Sequence, residues 1–307
     1  MYSESRMRDF VVFSKALLTN QLARFFPKYY VRMTRQSGRG EADGTPAETA
    51  AYFHKCVDDY RLQFNHSSVQ FRKFLEDKEV LEYGPGDTLG VALILYALGA
   101  RTIRCVDRFP LSAMSSRTIA VYQCILGLLD PIERARAMTA FAVAGDPSSG
   151  FDESKIRYSI TPNGLSGALG TYDLVISRAV LEHVNDLEGT LKDVGRAMKR
   201  GGVSLHKVDL SSHGLDRFVP LDFLTWPDWA YRLMYSHKGL PNRWRVSHYE
   251  AAAIRAGLAY SKVNPTDTID ANAVAKIADS LSSSLADTPR DVLGWRGFWM
   301  TLEHSTS

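Results

Sequence analysis

Apolar and polar positions along this chain change period, and the changes divide it. Through "RDFVVFSKALLTNQLARFFPKYYVRM" and again up to Phe64 the apolar residues recur at helical spacing. Between these stretches, Gln36 to Glu48 ("QSGRGEADGTPAE") is rich in glycine and charge and reads as a loop. Thr45, followed by Pro46 and Glu48, is a helix start: a capping hydroxyl, a residue with no N–H to satisfy, and an acid in the first turn. From Glu79 the pattern switches to short apolar runs, "VLEY", "TIRCVD", "IRYSI", "YDLVIS" and "VSLHKVDL". Helical stretches separate them: "TLGVALILYALGA", "SSRTIAVYQCILGLLDPIERARAMTAFAVA" and "DLEGTLKDVGRAMKRGG". Such alternation predicts an α/β fold, a mostly parallel sheet covered by helices on both faces. "YSKVNPT" and "RGFWMTLEH" are two further strands flanking a Ser/Ala-rich helix over Ala271 to Ala286. The expected organisation is an N-terminal helical extension over 1–78 and an α/β domain over 79–307. Within the latter, the aromatic-rich segment at about 211–243 is too long for a plain connection and reads as a lid.

Composition changes this picture little. The 307 residues are 45% hydrophobic and 23% charged, and a net charge of +3 gives no reason to expect nucleic acid. No apolar run approaches the ~18 residues of a membrane span, and charges interrupt every apolar stretch near the N-terminus, unlike a signal peptide. Cys56, Cys105 and Cys124 are odd in number and scattered, which argues against a disulfide framework or a zinc site and fits a reducing cytoplasm. Only the start of the chain stands out: Met1 to Gly40 holds eight Lys/Arg against two acids. A basic amphipathic helix can lie on an anionic membrane. The favoured reading is a helix packed on the protein body through Phe10, Phe13, Leu17 and Phe25.

The chemistry concentrates in "VLEYGPGDTLG", Val80 to Gly90. Glycines let the backbone approach a ligand, and the helix that follows offers its N-terminus to polar groups. A pyrophosphate-binding loop wants G-x-G-x-x-G; Gly84 and Gly86 fit, but Leu89 holds the third position and Gly90 arrives one residue late. Glu82, an acid two residues before the first glycine, suits a cationic ligand such as S-adenosylmethionine better than a pyrophosphate. Asp107 ends the second strand, 21 residues after Gly86, where a carboxylate can accept the ribose hydroxyls of an adenosine.

"VLEYGPGDTLG", "VDRF" and "YDLVISRAVLEHV" resemble the first, second and fourth motifs of class I S-adenosylmethionine-dependent methyltransferases, and "AMKRGGVSLHKVDL" resembles their fifth strand. The resemblance covers Glu79 to Leu210. It implies a Rossmann-like seven-stranded sheet whose last strand is antiparallel. By the same resemblance Glu82, Gly84 and Gly86 wrap the methionine half of the cofactor, and Asp107 holds the ribose. Arg108 lies beside the adenine, and Ser177 and Arg178 flank the methionine end through backbone atoms. Asn163, after the third strand, is the candidate for the adenine edge, where an aspartate is commoner. Asp146 in "AGDPSS" precedes the third strand and falls in an inserted loop.

Methyl transfer is an in-line displacement, for which the protein aligns the reactants and, with a hydroxyl acceptor, removes a proton. Candidates for that work are His183, in "LEHV", and His206, Asp209 and His213, in "LHKVDLSSHG". A histidine beside a carboxylate is the usual general base. His-x-x-Asp-x-x-x-His can also read as a metal site, but the resembled superfamily seldom needs one, and no metal is expected. Asn242, Arg243 and Arg245 in "LPNRWRVSHYE" are candidate contacts to the acceptor. The series "HKVD…HG…PNR" also resembles bacterial methyltransferase-domain proteins of cell-surface polysaccharide or specialised-metabolite pathways, which suggests a small-molecule hydroxyl. The alternatives are an NAD(P)-dependent oxidoreductase, which lacks the third glycine and a Tyr-x-x-x-Lys pair, or a methyltransferase acting on an amine or a peptide. The sequence leaves the oligomeric state open.

Overall fold

The computed structural model describes residues 2–34, 44–238 and 241–305; most of the expected loop, Gln36 to Asp43, and two residues of the expected lid lie outside them. In chain order the elements are α1 (Tyr2–Phe25), α2 (Pro27–Thr34), α3 (Pro46–Gln63), α4 (Ser68–Leu75), β1 (Glu79–Tyr83), α5 (Gly90–Ala97), β2 (Thr102–Asp107), α6 (Ser116–Leu128), α7 (Pro131–Met138), β3 (Ile156–Ile160), β4 (Tyr172–Arg178), α8 (Leu187–Ala197), β5 (Met198–Asp209), α9 (Asp228–Tyr235), α10 (Val246–Arg255), β6 (Leu258–Thr268), α11 (Ala271–Ala278), α12 (Arg290–Leu293) and β7 (Trp295–His304). The seven strands run in the order β3-β2-β1-β4-β5-β7-β6, with β6 and β7 antiparallel. The first four are mutually parallel. Chain order reverses between β1 and β4, and open α/β sheets bind ligands at such a switch point.

The chain forms two compact units: Gln36–Arg178 with Asp193–Leu205, and Met1–Arg35 with Ala179–Lys192 and His206–Ser307. This differs from the expected boundary at residue 79. The helices of the N-terminal extension separate, with α3 and α4 joining β1 to β4, because α3 packs on α5 and α6. The Thr45 start forms a full capping box with Glu48. The long helical stretch expected after β2 divides into two helices, because Asp130 and Pro131 start a new one: the Asp130 carboxylate accepts the N–H groups of Ile132 (3.0 Å) and Glu133 (2.9 Å). Beyond α7, Phe141 pairs as an isolated bridge with Phe151 instead of continuing the helix.

In the other unit, the aromatics of the expected lid are a core of their own. Phe223, Leu224, Trp226, Tyr231 and Met234 are buried together with Ala16 of α1, and Val12 and Phe13 pack against them. Asn20 fastens α1 here: its amide donates to the Leu233 carbonyl (2.8 Å), and its oxygen accepts the N–H of His237 (2.8 Å). The expected inward set on α1 needs correction. Phe13 joins the core, but Phe10 (67% exposed) and Phe25 (62%) face outward, because the small residues Ala16, Asn20 and Ala23 form the face that docks.

Candidate active site

Strand register brings the cofactor candidates to one level. Glu82 pairs with Cys105 on β2 and Ile176 on β4, and Tyr83 with Val106 and Ser177. Glu82, Asp107 and Ser177 therefore end adjacent strands on the same edge. The loop leaving β1 is tied down by the Gly84 N–H, which donates to the Val106 carbonyl (2.8 Å), and it turns with φ of 62° at Gly84 and 79° at Gly86. These angles lie in the left-handed region that favours glycine. The late glycine has another purpose. Gly90 opens α5 against α3, and a Cβ there would fall inside the Phe53 ring. It is a helix-packing residue, so the ligand loop needs only the two earlier glycines.

Glu82 is buried, and burial pushes its carboxyl up to about 7; its side-chain partner is the Cys105 thiol, which donates to it at 3.5 Å. A buried carboxyl with so weak a partner is poised for a cation. Asp107 is also buried, which raises its pKa, against the lowering effect of the Phe109, Arg108 and Gly86 N–H groups; the Phe109 N–H donates at 3.0 Å. That contact with Gly86 links the acid to the loop. Arg108 lies over the Phe109 ring (4.7 Å), and its Cβ borders the Thr161–Gly164 turn that carries exposed Asn163. Asp146 caps a short turn before β3, as its position in an inserted loop implied. Arg178 reaches back to α3, where it pairs with Asp59 (2.9 Å) beside the Tyr52 ring. Nothing in the sequence marks Tyr52 and Asp59 as bordering this edge, beyond the helical spacing of apolar residues in α3. A buried acid, a cradle of left-handed glycines and a second acid one strand away fit the charge and shape of S-adenosylmethionine.

The histidine candidates lie in the other unit. Leu181–His183 form a single 3-10 turn, and Glu182 is fully buried, with burial pushing its carboxyl well above the usual range. His213 holds φ 48°, an uncommon conformation for a side-chain-bearing residue. Its Nε2 lies 3.3 Å from Asp209 Oδ2, and its ring centroid is 5.1 Å from that of His183. Burial would raise the Asp209 pKa, but hydrogen bonds from His213 and Ser211 outweigh it and keep the group ionised. Glu182, His183 and His213 bring one donor atom each within 4.8 Å of one another, a set that could grip a divalent cation. It differs from the His206–Asp209–His213 pattern considered from the sequence.

Three expectations about this unit change. His206 is fully buried inside β5, where burial lowers its pKa to about 3, so it cannot meet an acceptor from that position. Arg243 and Arg245, expected to touch the acceptor, are buried and donate to main-chain carbonyls, Arg243 to Leu224 (3.4 Å) and Trp226, and Arg245 to Leu210 (3.2 Å) and Trp295. Arg243 also pairs with Asp228. Asn242 donates to the carbonyls of Leu181 (2.9 Å) and Val184 (3.3 Å), and its own N–H donates to the Glu182 carbonyl (2.5 Å). The segment therefore clamps the turns carrying Glu182, His183 and Asp209.

Residues 60–263 match the family model of a methyltransferase domain. Among curated proteins, none matches. Similar solved structures include an S-adenosylmethionine-dependent methyltransferase from Mesorhizobium loti, 14% identical, with 74% of this chain and 91% of that one covered and a TM-score of 0.41. Geranyl diphosphate C-methyltransferase from Streptomyces coelicolor is 13% identical, with 77% of each chain covered and a TM-score of 0.41. Phosphoethanolamine N-methyltransferase 2 from Haemonchus contortus is 14% identical, with 75% of this chain and 49% of that one covered and a TM-score of 0.40.

Proposed function

The chain belongs to the methyltransferase-domain family, and on that basis we propose that it methylates a hydroxyl of a small molecule, a sugar or a specialised metabolite. When bound, S-adenosylmethionine supplies a methyl group already activated on a sulfonium. Glu82 meets the positive charge of the methionine half, while Gly84 and Gly86 let the backbone close on it. Asp107 accepts the ribose hydroxyls, Arg108 and Asn163 border the adenine, and backbone atoms of Ser177 and Arg178 flank the methionine end. His213 takes the proton of the acceptor hydroxyl at Nδ1, with Asp209 orienting the ring from Nε2. His183 stands beside that ring. His206, Asn242, Arg243 and Arg245 position this arrangement from inside the protein.

The Asp209–His213 pair carries the hydroxyl reading. It joins an ionised acid to a part-exposed imidazole, whereas an amine acceptor that is already neutral has less need of a base. A panel of hydroxyl and amine acceptors assayed with labelled S-adenosylmethionine tests it. Label transferred to amines alone would replace the hydroxyl reading with N-methylation. No metal is required by this scheme: chelator should leave turnover unchanged, and a loss restored by a divalent cation would move the role to Glu182, His183 and His213. Free thiols at Cys56, Cys105 and Cys124 support a reducing compartment, the cytoplasm, as the place of reaction.

A further inference from the structure

α1 carries two faces of different kind. Its inner face is fully engaged: Ala16, Asn20 and Ala23 are buried, and Lys238 Nζ donates to the Ala16 carbonyl (2.8 Å) and to Thr19 Oγ1 (2.6 Å). On the opposite side Met7, Val11, Leu18 and Phe25 fall within about 40° of one another at the ~100° per residue of a helix, and Phe10 sits about 60° away. All five are exposed, as are Phe26, Tyr29 and Met33, which follow at the end of α1 and along α2. A run of large apolar side chains this long is unusual on a protein surface facing only water.

Charge identifies what covers it. Lys15, Arg24 and Lys28 are exposed along the same stretch, and Arg24 lies over the Phe25 ring (5.0 Å). Asp9 faces the other way, to Arg217 (3.4 Å). A second copy of the chain would set these cations against their own kind, whereas an anionic surface complements them. No described helix is long and apolar enough to cross a membrane, so the segment would lie along a surface. We propose that the outward face of α1 and α2 seats this protein on a bilayer rich in anionic phospholipid, with the apolar residues entering the headgroup boundary and the lysines and arginine at its rim.

Flotation of the full chain with vesicles tests this, comparing phosphatidylcholine alone with an equimolar mixture of phosphatidylcholine and phosphatidylglycerol. The chain should float with the mixed vesicles and not with the neutral ones. High salt, Lys15→Glu with Lys28→Glu, or Phe10→Ser with Phe25→Ser should each lower the bound fraction by at least about tenfold. All four side chains are exposed, so the variants should keep the thermal midpoint of the parent. Failure to float with mixed vesicles would overturn the proposal, as would equal flotation with neutral ones. Self-association of the free chain, abolished by Phe10→Ser with Phe25→Ser, would overturn it in favour of a second copy.

Discussion

Asp107 is the residue whose loss should be felt first. It is the carboxylate next to the loop, and Asp107→Ala should weaken S-adenosylmethionine binding by about 1–3 kcal/mol, the loss of charge-assisted hydrogen bonds. Unchanged affinity by calorimetry would remove it from the ribose role. Glu82 makes a pH prediction. Burial raises its carboxyl to about 7, so the folded protein keeps a proton that the unfolded chain releases near the ordinary 4.5; stability from this group falls as pH rises between the two values. A cationic ligand favours the ionised form, so binding at about pH 6.5 should release a proton, seen as a dependence of binding heat on buffer ionisation enthalpy. Glu82→Gln should abolish the release; if the release persists, Glu82 is not the group that meets the charge. His206 has the opposite sign. Its pKa falls from 6.5 to about 3, so the unfolded chain binds the extra proton and stability is lost as pH drops through that window. His206→Gln should flatten the acid side of the stability profile.

At the scale of elements, α3 and α5 meet at Gly90, and Gly90→Ala should destabilise the fold by about 1–3 kcal/mol through overpacking on Phe53. Phe53→Leu in the same chain should recover part of the loss; thermal unfolding reads both, and no cost for the single change would contradict the packing role. Much of this level was legible. The strands announced themselves by length and β-branched content, and the acids at their ends by position, because a parallel strand's C-terminal end is where the chain must turn. Gly90 was legible as special but not for what, since a glycine needed by a ligand and one needed by a ring look alike in sequence. Phe10 and Phe25 misled for a related reason. Helical spacing shows that residues share a face, not that anything covers it, and on α1 the covered face belongs to Ala16, Asn20 and Ala23. Arg243 and Arg245 resemble ligand contacts because nothing local indicates that Leu224 and Trp226 will offer their carbonyls to the first, or Leu210 and Trp295 to the second.

Across the whole molecule, the cofactor candidates and the Asp209–His213 pair belong to different compact units. Chemistry and donor binding should therefore separate on mutation: His213→Ala should lower kcat by about 10²–10⁴-fold while leaving the Kd for S-adenosylmethionine within a few fold. A joint loss of both would argue that His213 organises the donor site instead. The loop at Gly84 and Gly86, with Glu82 before it and Asp107 beside it, should take a methyl donor and not a dinucleotide. Calorimetric titration of the chain with S-adenosylmethionine, and separately with NADH, tests it most directly. Saturable binding of S-adenosylmethionine, weakened by Asp107→Ala, with none of NADH is the expected result; tight NADH binding with no S-adenosylmethionine binding would contradict it.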